Sequence, residues 1–128
     1  MIPQDPADRL LAAWDGAASL DPSAFPIADL DTALAVQARI VARRESRGER
    51  RLGHKIGFTN RSLWPLYGVH HPIWGPVWHT TVTWLERPEA RLSVGRWAEP
   101  RLEPEIVLGL ARSPRTTDID HVHDCLDW

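Results

Sequence analysis

Cysteine and lysine are both scarce in this sequence. Cysteine occurs once, as Cys125, so no disulfide can form within the chain and nothing indicates an oxidising compartment. Cys125 lies in the acidic segment HVHDCLDW, where neighbouring carboxylates disfavour a thiolate, so we do not expect a nucleophile there. Lysine also occurs once, as Lys55, whereas every other basic residue except histidine is arginine.

Long apolar runs and a surplus of one charge are also missing. No hydrophobic stretch is long enough to span a membrane, and the N-terminal MIPQDPADRL lacks the basic and apolar regions of a signal peptide. The net charge of −2 gives no electrostatic basis for binding nucleic acid or an anionic membrane. We therefore expect a cytoplasmic protein with neither a membrane nor a nucleic-acid partner.

The 128 residues are enough for one modest domain in which the hydrophobic period changes along the chain. Apolar residues at helical spacing predict a first helix over residues 6–20 and a second from an Asp29 cap to Gly48. Residues 49–128 follow mainly a strand-like period. We predict an α+β fold, with a helical region at 1–48 and a β-rich region at 49–128.

Several strands are predicted within the second region. They are LGHKIGF at residues 52–58, VWHTTVTWL at 77–85, a weaker ARLSV at 90–94 and EPEIVLGLA at 103–111. NRSLWPLYG predicts a brief helical turn closed by Gly68, and VHHPIWGP predicts a loop. A last helix is expected near residues 118–127. The chain contains seven tryptophans, and a core filled with large rings is favoured over a stacking platform.

Glu103 and Glu105 are two residues apart in the fourth predicted strand, so their carboxylates should share one face. A hard divalent cation would relieve the repulsion between them. Two solvated glutamates at an open sheet edge are the simpler interpretation, and Pro104 suits such an edge. Lys55 has two interpretations as well. It is an ordinary surface charge, or an ammonium that the chemistry requires because a guanidinium cannot give up its proton.

Three segments in order, GHKIGFTN, YGVHHPIWGPV and RLEPEIVLGLAR, resemble the 2-keto-4-pentenoate (2-hydroxypenta-2,4-dienoate) hydratase and 4-oxalocrotonate decarboxylase group of the fumarylacetoacetate hydrolase superfamily. The resemblance runs from ALAVQARIVARR in the second helix to the C-terminus. It implies a helical N-terminal region followed by part of a mixed β-roll that holds a divalent metal. No HExxH, paired CxxC or GxSxG motif supports zinc or serine-hydrolase chemistry instead.

The resemblance also implies roles for particular residues. Glu103 and Glu105 would be ligands of Mg²⁺ or Mn²⁺, and Lys55 would be catalytic in the same pocket, neutralising the substrate carboxylate or moving a proton. The substrate would be a short 2-oxo or 2-hydroxy acid, and the activity that of a metal-dependent hydratase, a lyase of aromatic catabolism. A 4-oxalocrotonate-type decarboxylase is the alternative, because both reactions need the same electron sink.

The sequence departs from the family pattern at two points. The family's third carboxylate ligand would lie beyond Trp128, so we expect this chain to be the N-terminal half of the architecture. Some hydratases have an aspartate where this chain has Ile73, which leaves His70, His71 and His79 as candidate substrate-binding groups. A third possibility is a truncated, non-catalytic relative that acts as a partner-binding subunit or is an inactive fragment. An exposed sheet edge would favour a homo-oligomer or a partner subunit.

Overall fold

A computed structural model describes residues 5–25 and 27–128. The described chain is a mixed α+β structure with helices before and after a two-stranded antiparallel sheet. The helices are α1 (Pro6–Asp15), α2 (Leu30–Ser46), α3 (Trp64–Tyr67) and α4 (Ile119–His123), and the strands are β1 (Arg51–Gly57) and β2 (Ile73–Trp78). Single 3₁₀ turns at Pro22–Ala24 and Arg61–Leu63 precede α2 and α3.

Helix α1 is shorter than its apolar pattern predicts. Its start is set by Asp5, whose carboxylate accepts a hydrogen bond of 2.9 Å from the backbone N–H of Ala7. Its end is set by Gly16, whose N–H donates to the Ala12 carbonyl at 2.9 Å, and Ala17 then has a φ of 49°. The predicted continuation to residue 20 is wrong because this backbone reversal outweighs the apolar periodicity.

Helix α2 has the ends that the sequence predicts. The Asp29 carboxylate accepts a 2.7 Å hydrogen bond from the N–H of Thr32, and Gly48 follows the helix with a φ of 83°. The two long helices pack together, and each buries an aliphatic side chain, Leu11 in α1 and Val36 in α2. Arg43 forms ion pairs with carboxylates at the start of α1.

Strand β1 confirms the prediction for residues 52–58 and pairs with β2 so that Lys55 lies opposite Gly75. The predicted loop at residues 69–76 is wrong in its second half, because Ile73 begins β2. Pro76 is tolerated there since β2 pairs on one side alone within the described chain, and a proline at such an edge loses no ladder bond. The predicted turn before it is confirmed as Arg61–Leu63 plus α3, and Gly68 closes it with a φ of 64°.

The predicted strand at residues 77–85 is wrong after Trp78. The backbone N–H and the hydroxyl of Thr81 both donate to the Trp78 carbonyl, at 2.9 and 3.0 Å, and turn the chain away. The predicted strands at 90–94 and 103–111 are also wrong within the described chain, where just Leu110 forms a bridge, with Leu126. A strand requires a hydrogen-bonded neighbour, and alternation of side chains does not provide one.

Helix α4 begins where predicted, after an Asp118 cap, but it ends at His123 and not near residue 127. The following residues leave the helix to pair with the chain around Gly109, whose N–H donates to the Trp128 carbonyl at 2.7 Å. This pairing ends α4 early, because the backbone groups of Asp127 and Trp128 form hydrogen bonds with Gly109 instead of helical hydrogen bonds.

The core is small and lies mainly between α1, α2 and the end of β2. Its buried hydrophobic residues are Ala7, Leu11, Val36 and Trp78, with Cys125 buried separately near the C-terminus. The prediction of a tryptophan-filled core is wrong except for Trp78, since four of the other rings are more than half exposed: Trp14, Trp74, Trp84 and Trp128. Among the residues that the structure describes, no helix is long and apolar enough to cross a bilayer.

Candidate functional site

Lys55 lies in the middle of β1, directly across the ladder from Gly75. Gly75 has no side chain, so the cross-strand neighbour leaves space beside the lysine stem. On either side of Lys55 in β1, Gly53 and Gly57 share its face by the two-residue period of a strand. The local sequence therefore presents one long cationic side chain on an otherwise glycine-rich strip.

Glu103 and Glu105 approach this ammonium from the irregular segment that follows residue 100. Lys55 Nζ donates a hydrogen bond to Glu105 Oε1 and lies 3.5 Å from Glu103 Oε2. The structure thus brings together the three residues that the sequence indicates for catalysis and metal binding. Their juxtaposition does not depend on the predicted strand at 103–111, since the side chains reach Lys55 from an unpaired segment.

The cluster is open to solvent, and its charges stabilise one another. About half of the Lys55 and Glu105 side chains is exposed, and two thirds of the Glu103 side chain. The hydrogen bond to Glu105 is the main cause that raises the pKa of Lys55. Desolvation opposes it, but the negative charges of Glu105 and Glu103 add to the increase, so the net direction is upward. Lys55 is therefore an ammonium ion at neutral pH, and the interpretation in which burial frees its proton is not supported.

The comparisons with known proteins give one partial similarity. The chain is 37% identical over 71 residues to a protein named 4-oxalocrotonate decarboxylase from a Pseudomonas species. This similarity is to an enzyme. The matched residues make up 56% of this chain and 27% of the relative, so the chain spans well under two thirds of the relative's length. No family model matches the sequence, and no solved structure matches it.

The three histidines proposed for substrate binding lie apart from the cluster in the register of the sheet. His79 follows the end of β2, where its Nδ1 accepts a 3.0 Å hydrogen bond from the N–H of Arg50. Gly75, which lies opposite Lys55, is four residues before His79, and four residues span about 13 Å along a strand. His70 and His71 are exposed before β2, and the Nδ1 of His71 lies 2.9 Å from the Pro72 carbonyl oxygen.

Two features were missed in the sequence, one beside the Lys55 cluster and one elsewhere in the described chain. The first is His54, the neighbour of Lys55 in β1, whose ring meets Trp74 edge-on with 5.2 Å between centroids. Strand alternation could have placed both on the face opposite Lys55. The second is Arg44, which is 7% exposed, forms an ion pair of 2.6 Å with Glu49 and lies over the Trp78 ring at 4.7 Å. Its burial had no sequence signal, since RRESRGERR predicts a solvated helix end.

Proposed function

We propose that this chain carries part of the substrate site of a lyase acting on a short 2-oxo or 2-hydroxy acid. The observation that supports it best is the convergence of Glu103 and Glu105 on the Lys55 ammonium. The name of the Pseudomonas relative, 4-oxalocrotonate decarboxylase, and the sequence resemblance to that group of the fumarylacetoacetate hydrolase superfamily support the same class. A β-roll fold of that type is part of the proposal.

The two glutamates are chemically suited to Mg²⁺ or Mn²⁺. Both carboxylates already reach one cationic nitrogen, so their oxygens can converge on one ion, and hard cations prefer carboxylate oxygen. In the described residues no group of three or more histidine, cysteine or acidic side chains could hold a metal. Glu103 and Glu105 would therefore be two ligands among water and substrate oxygens. When bound, such an ion supplies Lewis-acid polarisation of a 2-oxo acid.

Lys55 has a specific part in this proposal. Because it is protonated and half exposed, it can bind the carboxylate of an incoming acid through a charge-assisted hydrogen bond. Of the two roles that the resemblance implies, neutralisation of the substrate carboxylate suits this geometry better than abstraction of a proton. An ammonium whose pKa is raised is a poor general base near neutral pH.

Hydration and decarboxylation are distinguished by assay. We propose hydration of 2-hydroxypenta-2,4-dienoate as the first candidate, and the name of the relative favours decarboxylation of a 4-oxalocrotonate-type acid as the second. The chain is incubated with Mn²⁺ and each substrate in turn. Loss of the dienoate ultraviolet absorbance indicates a hydratase, and release of carbon dioxide indicates a decarboxylase.

The Glu103→Gln, Glu105→Gln double variant should abolish whichever activity is found, and Glu89→Gln, which changes an exposed carboxylate elsewhere, should retain it. Absence of both activities with Mn²⁺ would favour the third possibility, a truncated non-catalytic relative that acts as a partner-binding subunit or is an inactive fragment. Activity that survives in the double variant would overturn the assignment of these glutamates.

A further inference from the structure

A groove with two lobes lies between α1 and the irregular segment at residues 96–98. Both lobes are open to solvent, with volumes of about 270 and 410 Å³, and they share a wall made by Trp14, Arg96 and Trp97. Each volume is close to the lower range of small-ligand sites. The groove has no residue in common with the Lys55 cluster.

The first lobe is apolar. Apart from the shared wall it is lined by small and aliphatic side chains, namely Leu10, Ala13, Ala17, Ala18, Leu20 and Ala98. The alanine side chains are small, and Trp14, about half of which is exposed, also lines this lobe while the Arg44 guanidinium lies 5.5 Å from its ring centroid. A flat apolar group would be taken up here by stacking and by removal of apolar surface from water.

The second lobe is polar and has an excess of positive charge. Its lining includes three guanidinium groups and two carboxylates, those of Arg44, Arg47, Arg96, Asp15 and Glu49. Arg44 is paired with Glu49 at 2.6 Å and Arg47 with Asp15 at 2.7 Å. Arg96 forms no ion pair within the described chain, and residues 1–4 and 26 include no acidic side chain.

Arg96 is also placed between the two lobes. Its guanidinium lies over the Trp97 ring, 5.1 Å from the centroid. A stacked guanidinium still presents the N–H groups at its edge, which match a carboxylate in a bidentate arrangement. The groove thus offers an aromatic surface, an apolar recess and one cation without a carboxylate partner.

We propose that this groove binds a small aryl carboxylate, with its ring in the alanine-lined lobe and its carboxylate on Arg96. Charge complementarity favours this class, because Arg96 has no carboxylate partner in the described chain and a ligand carboxylate would supply one at the border of the apolar lobe. This site is independent of the proposed lyase site, and it would remain if Glu103 and Glu105 bound no metal.

Calorimetric titration of the full chain with naphthalene-2-carboxylate and with the neutral naphthalene-2-carboxamide tests the charge requirement. We expect the carboxylate to bind and the Arg96→Gln variant to lose roughly tenfold in affinity for it, the scale of a charge-assisted hydrogen bond. The same variant should bind the carboxamide as the unchanged chain does. Arg101→Gln, which removes an exposed arginine outside the groove, should bind both compounds normally.

A second pair of variants tests the apolar lobe. Ala13→Leu fills the recess and should lower the affinity for both compounds. Ala12→Leu, at the adjacent exposed position of α1, should leave both affinities unchanged. Leucine is a good helix former, so both variants should keep α1. Equal affinities for carboxylate and carboxamide, no binding of the carboxylate at millimolar concentration, or equal effects of Ala12→Leu and Ala13→Leu would each overturn the proposal.

Discussion

Lys55 and Glu105 are 50 residues apart in the sequence and are joined by a direct hydrogen bond between their side chains. This bond ties the middle of β1 to a segment that has no strand partner in the described chain. The ammonium therefore occupies the point on which the two glutamates converge. A divalent cation bound to the same oxygens would have to displace it, because two cations at contact distance repel one another.

Replacement of Lys55 should strengthen metal binding. We expect the unchanged chain to bind Mn²⁺ weakly, since two carboxylates are its ligands and an ammonium competes for them. Lys55→Met should raise the affinity several-fold, whereas Lys55→Arg, which retains the charge, should not. Calorimetric titration with Mn²⁺ measures the dissociation constants of the unchanged chain and of both variants.

Two outcomes of that titration have different meanings. Equal Mn²⁺ affinities of Lys55→Met and the unchanged chain would show that Lys55 does not compete with the ion for the two carboxylates. That result would not argue against a metal site at Glu103 and Glu105. Micromolar binding by the unchanged chain that disappears in the Glu103→Gln, Glu105→Gln variant would show that two carboxylates are sufficient, against our expectation of a weak site.

Glu49→Gln should destabilise the fold strongly. It removes the anion that neutralises the buried Arg44 guanidinium, and an uncompensated buried charge costs about 3 kcal/mol. Glu45→Gln is the matched control, because the Arg51–Glu45 pair is exposed and such pairs contribute less than about 1 kcal/mol. Urea unfolding followed by circular dichroism compares them. Similar losses in both variants would contradict a structural role for the Arg44–Glu49 pair.

The stabilisation by Glu49 should disappear in acid. Burial, the largest single effect, raises the pKa of the Glu49 carboxyl. Hydrogen bonds from Arg44 and Thr80, together with the positive charges of Arg44 and Arg47, outweigh it and hold that pKa below its ordinary value of 4.5. The carboxylate therefore stabilises the fold fully above pH 4.5, and the contribution is lost as the pH falls through the lower, folded pKa. The difference in unfolding free energy between the unchanged chain and Glu49→Gln should stay constant from pH 7 to 5 and shrink below about 4.5. A difference that persists in acid would exclude the carboxylate as its source.

Gly48→Ala should destabilise the chain, although a Cβ there would meet no atom within 4 Å. The φ of 83° is costly for any residue with a Cβ, by roughly 1 kcal/mol. Gly53→Ala in β1 is the control, because its surroundings are equally open and its φ is not positive. It should be neutral or slightly stabilising. Thermal unfolding that ranks the two variants in the opposite order would refute this account of the α2 terminus.

Features that depend on neighbouring residues could be predicted from the sequence. The Asp29 cap, the Gly48 and Gly68 stops, and the start of α4 after Asp118 all follow from hydrogen bonds or dihedral angles within a few residues. Strand β1 was predictable as well from its own short strand-like pattern, although most of its partner β2 was predicted as a loop. The identity of Lys55, Glu103 and Glu105 as a candidate set came from the sequence too.

Contacts between distant segments were decided by the tertiary structure. Alternation at residues 77–85 and 103–111 predicts strands, but a strand forms when another segment supplies its hydrogen bonds. The described chain pairs the first segment at Val77 and Trp78 and the second through one bridge at Leu110. The burial of Arg44 depends on Glu49 and Trp78 lying around it in space. The raised pKa of Lys55 likewise follows from carboxylates about fifty residues away, because the shift of a pKa is set by the groups that surround it in space and not by its neighbours in sequence.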